Sequence, residues 1–108
     1  RRSSDLEPID LLLDSKKKIL YWTDRGKRAA GNTLNAANVG PRGLSNHRIL
    51  IQGLCEGIGV CSNITADTLF VTDLLLGHVR KLEIHSRKKA RTIHRGWPLT
   101  GIACVPLA

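Results

Sequence analysis

Nine carboxylates, Asp5, Glu7, Asp10, Asp14, Asp24, Glu56, Asp67, Asp73 and Glu83, are all the acids this chain offers. The chemistry they would serve is metal-assisted hydrolysis, which needs several oxygen ligands converging on one cation. Matching positions along the chain argue against it. Asp10 lies in Pro8-Ile9-Asp10-Leu11, and the later phrases Gly57-Ile58-Gly59-Val60 and Gly101-Ile102-Ala103-Cys104 put Gly59 and Ala103 in its place. Neither can ligate a metal. Asp24 and Asp73 recur 49 residues apart, each after a threonine, which fits a duplicated structural role better than a single active site. No Gly-x-Ser-x-Gly elbow, P-loop or dinucleotide fingerprint occurs. The residues therefore assign no catalytic group, cofactor or metal ligand, and the chain is not expected to be an enzyme.

The other reactive side chains are scattered. Cys55, Cys61 and Cys104 have no zinc-type spacing, and their odd number permits at most one disulfide. They are expected to be plain buried thiols in a reducing compartment. His47, His78, His85 and His94 read as surface or rim residues. The basic runs Lys16-Lys17-Lys18 and Arg87-Lys88-Lys89-Ala90-Arg91 could meet phosphates, but no aromatic stacking partner stands beside them. They are expected to be solvated turns that discourage sheet-edge pairing, and nucleic acid is not an expected partner. Asn63-Ile64-Thr65 is a glycan acceptor in a secreted chain and incidental in any other.

The elements that must position these residues follow from repetition. The chain has 108 residues, 42% apolar, with a formal charge of +8, enough for one small domain or part of a larger one. No apolar stretch approaches the ~18–20 residues of a spanning helix. The chain starts at Arg1 and contains no methionine, so it is expected to be processed or part of a longer product. Lys18-Ile19-Leu20-Tyr21-Trp22-Thr23-Asp24 matches Asp67-Thr68-Leu69-Phe70-Val71-Thr72-Asp73, and Ile9, Ile58 and Ile102 recur at offsets of 49 and 44. About five extra residues in the first copy fall most easily within Arg25–Asn32. Strands are predicted at Ile9–Leu13, Ile19–Thr23, Thr33–Val39 and Arg48–Ile51, then at Ile58–Cys61, Leu69–Thr72, Val79–Ile84 and Ala90–His94. Gly101–Val105 begins a third copy. Four short strands per ~45 residues fit a β-propeller blade, although a β-sandwich also spaces strands this way.

Tyr21-Trp22-Thr23-Asp24 is the signature of YWTD repeats, the class B repeats of low-density-lipoprotein-receptor-type propellers, and Phe70-Val71-Thr72-Asp73 resembles a degenerate copy. The resemblance covers about Glu7 to Val105 and is closest to stand-alone, non-receptor members. It implies six blades in a ring, aromatics of the tetrapeptide packed between blades, and structural hydrogen bonds from Asp24 and Asp73. The expected fold is all-β: a partial β-propeller spanning 1–108, with two four-stranded antiparallel blades (8–52 and 57–96) and the first strand of another (101–105). With neighbours absent, the open blade faces invite self-association, in a ring of copies or within a longer chain of roughly 250–300 residues.

Loops after the second and fourth strands share one end of a blade. They gather Arg25, Lys27, Arg28, Glu56 and Trp97, the expected contact surface for a protein partner of unknown identity. The opposite end gathers Asp14–Lys17, Gly40–His47, Asn63–Asp67 and His85–Lys89. The expected function is a non-catalytic interaction or scaffold module in the cytoplasm, or secreted if a preceding segment carries a signal. The alternative is part of a lactonase-like hydrolase propeller whose metal ligands lie outside this chain.

Overall fold

The computed structural model describes residues 8–25, 32–63, 65, 67–74, 77–86, 88–96 and 102–104. Among them there are strands and turns and no helix. Strands β1 (Pro8–Asp14), β2 (Ile19–Asp24), β3 (Thr33–Gly40) and β4 (Gly43–Ile51) form one antiparallel sheet in chain order. Strands β5 (Gly57–Ser62), β6 (Thr68–Asp73), β7 (His78–Glu83) and β8 (Arg91–Arg95) form a second of the same order. Each is a four-stranded meander like a propeller blade, and the two do not close a ring.

The blades are equivalent in register. Leu12 pairs with Tyr21, and Cys61 pairs with Phe70, the same positions 49 residues on. An irregularity between Pro8 and Leu11 recurs between Gly57 and Val60. Another, at Leu34/Asn35, recurs at Val79/Arg80, now 45 residues on. The offset therefore drops by four between the second and third strands, within the Arg25–Asn32 stretch where the sequence places the extra residues. Asn32 and Gly77, which precede the third strands, share a left-handed corner with φ of 54° and 64°. Asparagine and glycine are the residues that tolerate it.

One expectation about strands is corrected, and another falls partly outside the described residues. The fourth strand starts at Gly43, not Arg48, because Gly40 pairs with Gly43 across a two-residue turn and the ladder runs straight on through Val39–Leu44 and Asn38–Ser45. Polar Ser45, Asn46 and His47 disguise that extension. Ile102–Cys104 has no strand assignment, so no first strand of a third blade is described.

Threonines of the tetrapeptides explain why the bulges are stable. A bulge leaves a backbone N–H outside the ladder. Asp10 N–H donates to Thr23 Oγ1 at 3.2 Å, and Gly59 N–H to Thr72 Oγ1 at 2.9 Å. The Thr23 hydroxyl donates in turn to the Ile58 carbonyl at 2.8 Å, and the Asp10 carboxylate accepts the Val60 N–H at 3.0 Å. Polar bonds thus tie blade to blade where β1 and β2 pack on β5.

The apolar core lies beside these bonds. Tyr21, Leu34, Ala36 and Ile51 from the first blade meet Leu54, Val60, Leu69, Val71 and Leu82. Strand alternation sends Tyr21 toward the second blade and Trp22 away from it. Trp22 stacks on His47 with ring centroids 5.2 Å apart, on the face where Leu11 and Leu13 stay 63% and 57% exposed. That face is the open side of the first blade. The Val71 position, which corresponds to Trp22, is fully buried because the first blade covers it.

Tyr21 is the chain's single tyrosine. Burial raises its phenol pKa above the usual value of 10.0, the Asp14 charge adds to the rise, and Arg48 opposes it. The fold therefore favours the neutral phenol. Its contribution is complete below the unfolded pKa of about 10 and is lost as pH climbs toward the raised folded value. Tyrosinate absorbance is expected to titrate above pH ~10 in the folded chain and to fall back to ~10 in denaturant. Tyr21→Phe should remove this part of the alkaline loss of stability, and an unshifted midpoint would refute the burial argument.

Candidate functional site

Loops after the second and fourth strands are bound to one another, as the antiparallel order requires. Leu54 N–H donates to the Asn32 carbonyl at 3.1 Å, Leu74 N–H to the Glu56 carbonyl at 2.8 Å, and Gly96 N–H to the Gly77 carbonyl at 3.0 Å. Asp73, completely buried, holds the loop between the blades. Its carboxylate accepts Cys55 N–H at 2.8 Å and Glu56 N–H at 2.9 Å. This anchor orients Glu56, whose Oε1 accepts Arg25 Nη1 at 2.7 Å.

Arg25 and Glu56, both expected on the contact surface, are therefore neighbours across the blade junction. The Arg25 side chain is 42% exposed, so the pair contributes little to stability, and part of the guanidinium surface is accessible at this end of the sheets. Lys27, Arg28 and Trp97 lie outside the described residues. The tetrapeptide residues Tyr21, Trp22, Thr23, Asp24, Phe70, Val71, Thr72 and Asp73 take structural positions in β2 and β6. Phe70 is half-buried on the far side of the second blade, while Thr72 and Asp73 keep the polar half of the motif.

The Asp10 carboxylate is engaged at both oxygens. Asp10 Oδ1 accepts the Leu11 N–H at 3.0 Å while Oδ2 accepts Val60. Among the described residues, no group of three or more metal-ligating side chains converges.

The reading of the cysteines is corrected. Cys61 and Cys104, 43 residues apart, form a disulfide, and Cys55 is an exposed free thiol. Nothing in their spacing signals this pairing. Blade alignment does: Cys61 corresponds to Leu12, which packs against the apolar core, and Cys104 to Val60, a member of that core. The disulfide thus stands where the first junction has apolar residues.

Turn caps account for the sequon. Asn63 Oδ1 accepts Asp67 N–H and Thr68 N–H at 3.1 and 3.2 Å, and Nδ2 donates to Asp67 Oδ1 at 2.6 Å. Asp14, its counterpart, accepts Lys16 N–H and Lys17 N–H, both at 3.1 Å. Hydrogen bonds from Asn63 first, then Thr65 and Thr68, hold the Asp67 carboxyl below its ordinary range. His47, beyond its stack on Trp22, lies 2.9 Å from Asn35 Oδ1, and Asn35 donates to Thr33 Oγ1 at 2.8 Å. That polar chain, running from exposed His47 to buried Asn35 and Thr33, was not legible from the sequence.

No family model matches the chain. It is 37% identical over 106 residues to a protein of Pyricularia oryzae named low-density lipoprotein receptor-related protein 1, covering 92% of this chain and 34% of the relative. It is 33% identical over 109 residues to the 3-hydroxyacyl-CoA dehydrogenase-like protein LAM1 of Cochliobolus heterostrophus, covering 90% of this chain and 22% of that relative. The chain spans about a third or less of these curated relatives. A dinucleotide fingerprint must leave a strand and open a helix. Here Gly57-Ile58-Gly59 lies within β5 instead. The likeness to the receptor-related protein over nearly the whole chain agrees with the repeat pattern carried by Tyr21-Trp22-Thr23-Asp24.

Proposed function

We propose that the chain is a non-catalytic interaction module, part of a six-bladed YWTD-type propeller that presents the loops around Arg25 and Glu56 to a protein partner. The observation that carries this reading is that the polar residues of the tetrapeptides, with Asp10, serve the scaffold. Thr23 and Thr72 cap the bulge N–H of each blade, and Asp73 and Asp10 hold N–H groups at the junction between the blades, which leaves the loops as the variable surface on a rigid scaffold. The Cys61–Cys104 bond supports an oxidising compartment over the cytoplasm.

A photo-crosslinking residue at Arg25 should capture a defined protein in extracts of the source organism, and one at Arg42, on the opposite end, should not. Arg25→Glu combined with Glu56→Lys should reduce recovery of that protein by about tenfold when capture is by the remaining loop residues. Equal capture from both ends would overturn the reading. A chelator-sensitive lactone hydrolysis by the longer protein would favour the hydrolase alternative.

A further inference from the structure

We propose that the notch between β4, the outer strand of the first blade, and β7 with its following turn in the second binds an extended acidic peptide, which adds as a strand to the free edge of β4. The notch is a cavity of about 530 Å³, within the range of ligand sites. Ile49 and Ile51 from β4 form one wall, and Leu82 with Ile84 forms the other. Arg80, Lys88 and Lys89 supply three cations to the lining, and no carboxylate lines it. Arg80 Nε is buried without a hydrogen-bond partner, while its Nη2 reaches only the Ala90 carbonyl at 3.5 Å. Cationic donors with apolar walls suit a ligand that carries both acids and aliphatic groups.

Strand geometry identifies that ligand as a peptide. β4 ends its sheet, so the outer backbone N–H and C=O groups of the strand have no strand partner among the described residues. Successive residues 49 to 52 line the notch, so it follows this edge instead of one face. The wall of Arg80, Leu82 and Ile84 presents side chains at every second position, the ~6.6–6.8 Å period an extended peptide also has. A peptide alternating apolar and acidic residues would place its apolar side chains between the walls and its carboxylates toward Lys88 and Lys89. A smaller hollow lined by Lys81, Lys88, Lys89 and Arg91, with Glu83 beside Lys81 at 3.9 Å, continues a net basic track past the notch, beyond the reach of one carboxylate. Nucleic acid could use the cations but neither the aliphatic walls nor the strand edge, and no aromatic ring lines the notch for stacking.

The test is fluorescence polarisation of a labelled decapeptide alternating leucine and glutamate, titrated with the full chain. Glutamine-for-glutamate and serine-for-leucine versions, and one N-methylated on alternate amides, should each bind about tenfold more weakly or worse. Lys88→Glu with Lys89→Glu should produce a similar loss, and so should the independent wall variant Ile49→Ser. Arg42→Glu, on an exposed turn of the same charge type, should leave binding unchanged, with circular dichroism melts showing that all variants fold. The proposal is overturned if the decapeptide does not bind, if the notch variants weaken it no more than Arg42→Glu, or if a single-stranded oligonucleotide of matched charge binds as tightly. Loss of binding here with crosslinking at Arg25 intact separates this site from the loop surface.

Discussion

Reduction of the Cys61–Cys104 bond is expected to lower the unfolding free energy of the chain by about 4 kcal/mol. The figure follows from loop-closure entropy, since the bond joins residues 43 apart and removes much of the freedom of the unfolded chain between them. Alkylation of the native protein should modify Cys55 alone, and reduction before alkylation should add Cys61 and Cys104. Urea denaturation with and without reductant measures the loss, and a difference below about 1 kcal/mol would contradict the expected role. The blade alignment supplies a second arm. Cys61→Leu with Cys104→Val copies the Leu12 and Val60 positions of the first junction, and it should recover part of the loss through apolar burial. Cys61→Ser with Cys104→Ser should recover none.

Repetition made the fold legible in the sequence. Residues that recur in register, Tyr21 with Phe70 and Asp24 with Asp73, carry a spacing independent of local propensity, and their strands emerge at equivalent places. The start of β4 escaped because Ser45, Asn46 and His47 form an exposed edge, where hydrophobic alternation has nothing to report. A hairpin closed by Gly40 and Gly43 was the available signal, since pairing across a two-residue turn continues until something interrupts it.

The candidate site was legible only in part. Antiparallel order was enough to place Arg25 and Glu56 at one end of the sheets, but their 2.7 Å contact depends on the path of the loop from Gly53 to Glu56. That path is set by a hydrogen-bonding carboxylate 17 residues later than Glu56, which no local pattern reveals. The disulfide escaped for a similar reason. Its partners lie 43 residues apart, one in β5 and the other beyond β8, and an odd cysteine count suggested thiols. The threonine caps were hidden because a bulge has no signature in composition, although both bulges lie next to the residues that later prove to cap them.

Asp73→Ala is expected to cost about 2–5 kcal/mol, because it strips two backbone donors, Cys55 N–H and Glu56 N–H, of an acceptor in a place water reaches poorly. Asp73→Asn keeps one acceptor oxygen but turns an amide toward the other donor, so about half the loss should remain. Leu74 N–H on the Glu56 carbonyl would persist, so the blades should stay paired while the loop between them loosens. Glu56 then ceases to be held beside Arg25. If the loops around this pair form the contact surface, crosslinking from Arg25 should fall in Asp73→Ala even at temperatures well below its melting transition, whereas Thr72→Val, which uncaps a bulge N–H in the same blade without touching the loop, should lower stability and leave crosslinking intact. Equal loss of crosslinking in both variants would mean that global stability, not the position of Glu56, governs the contact.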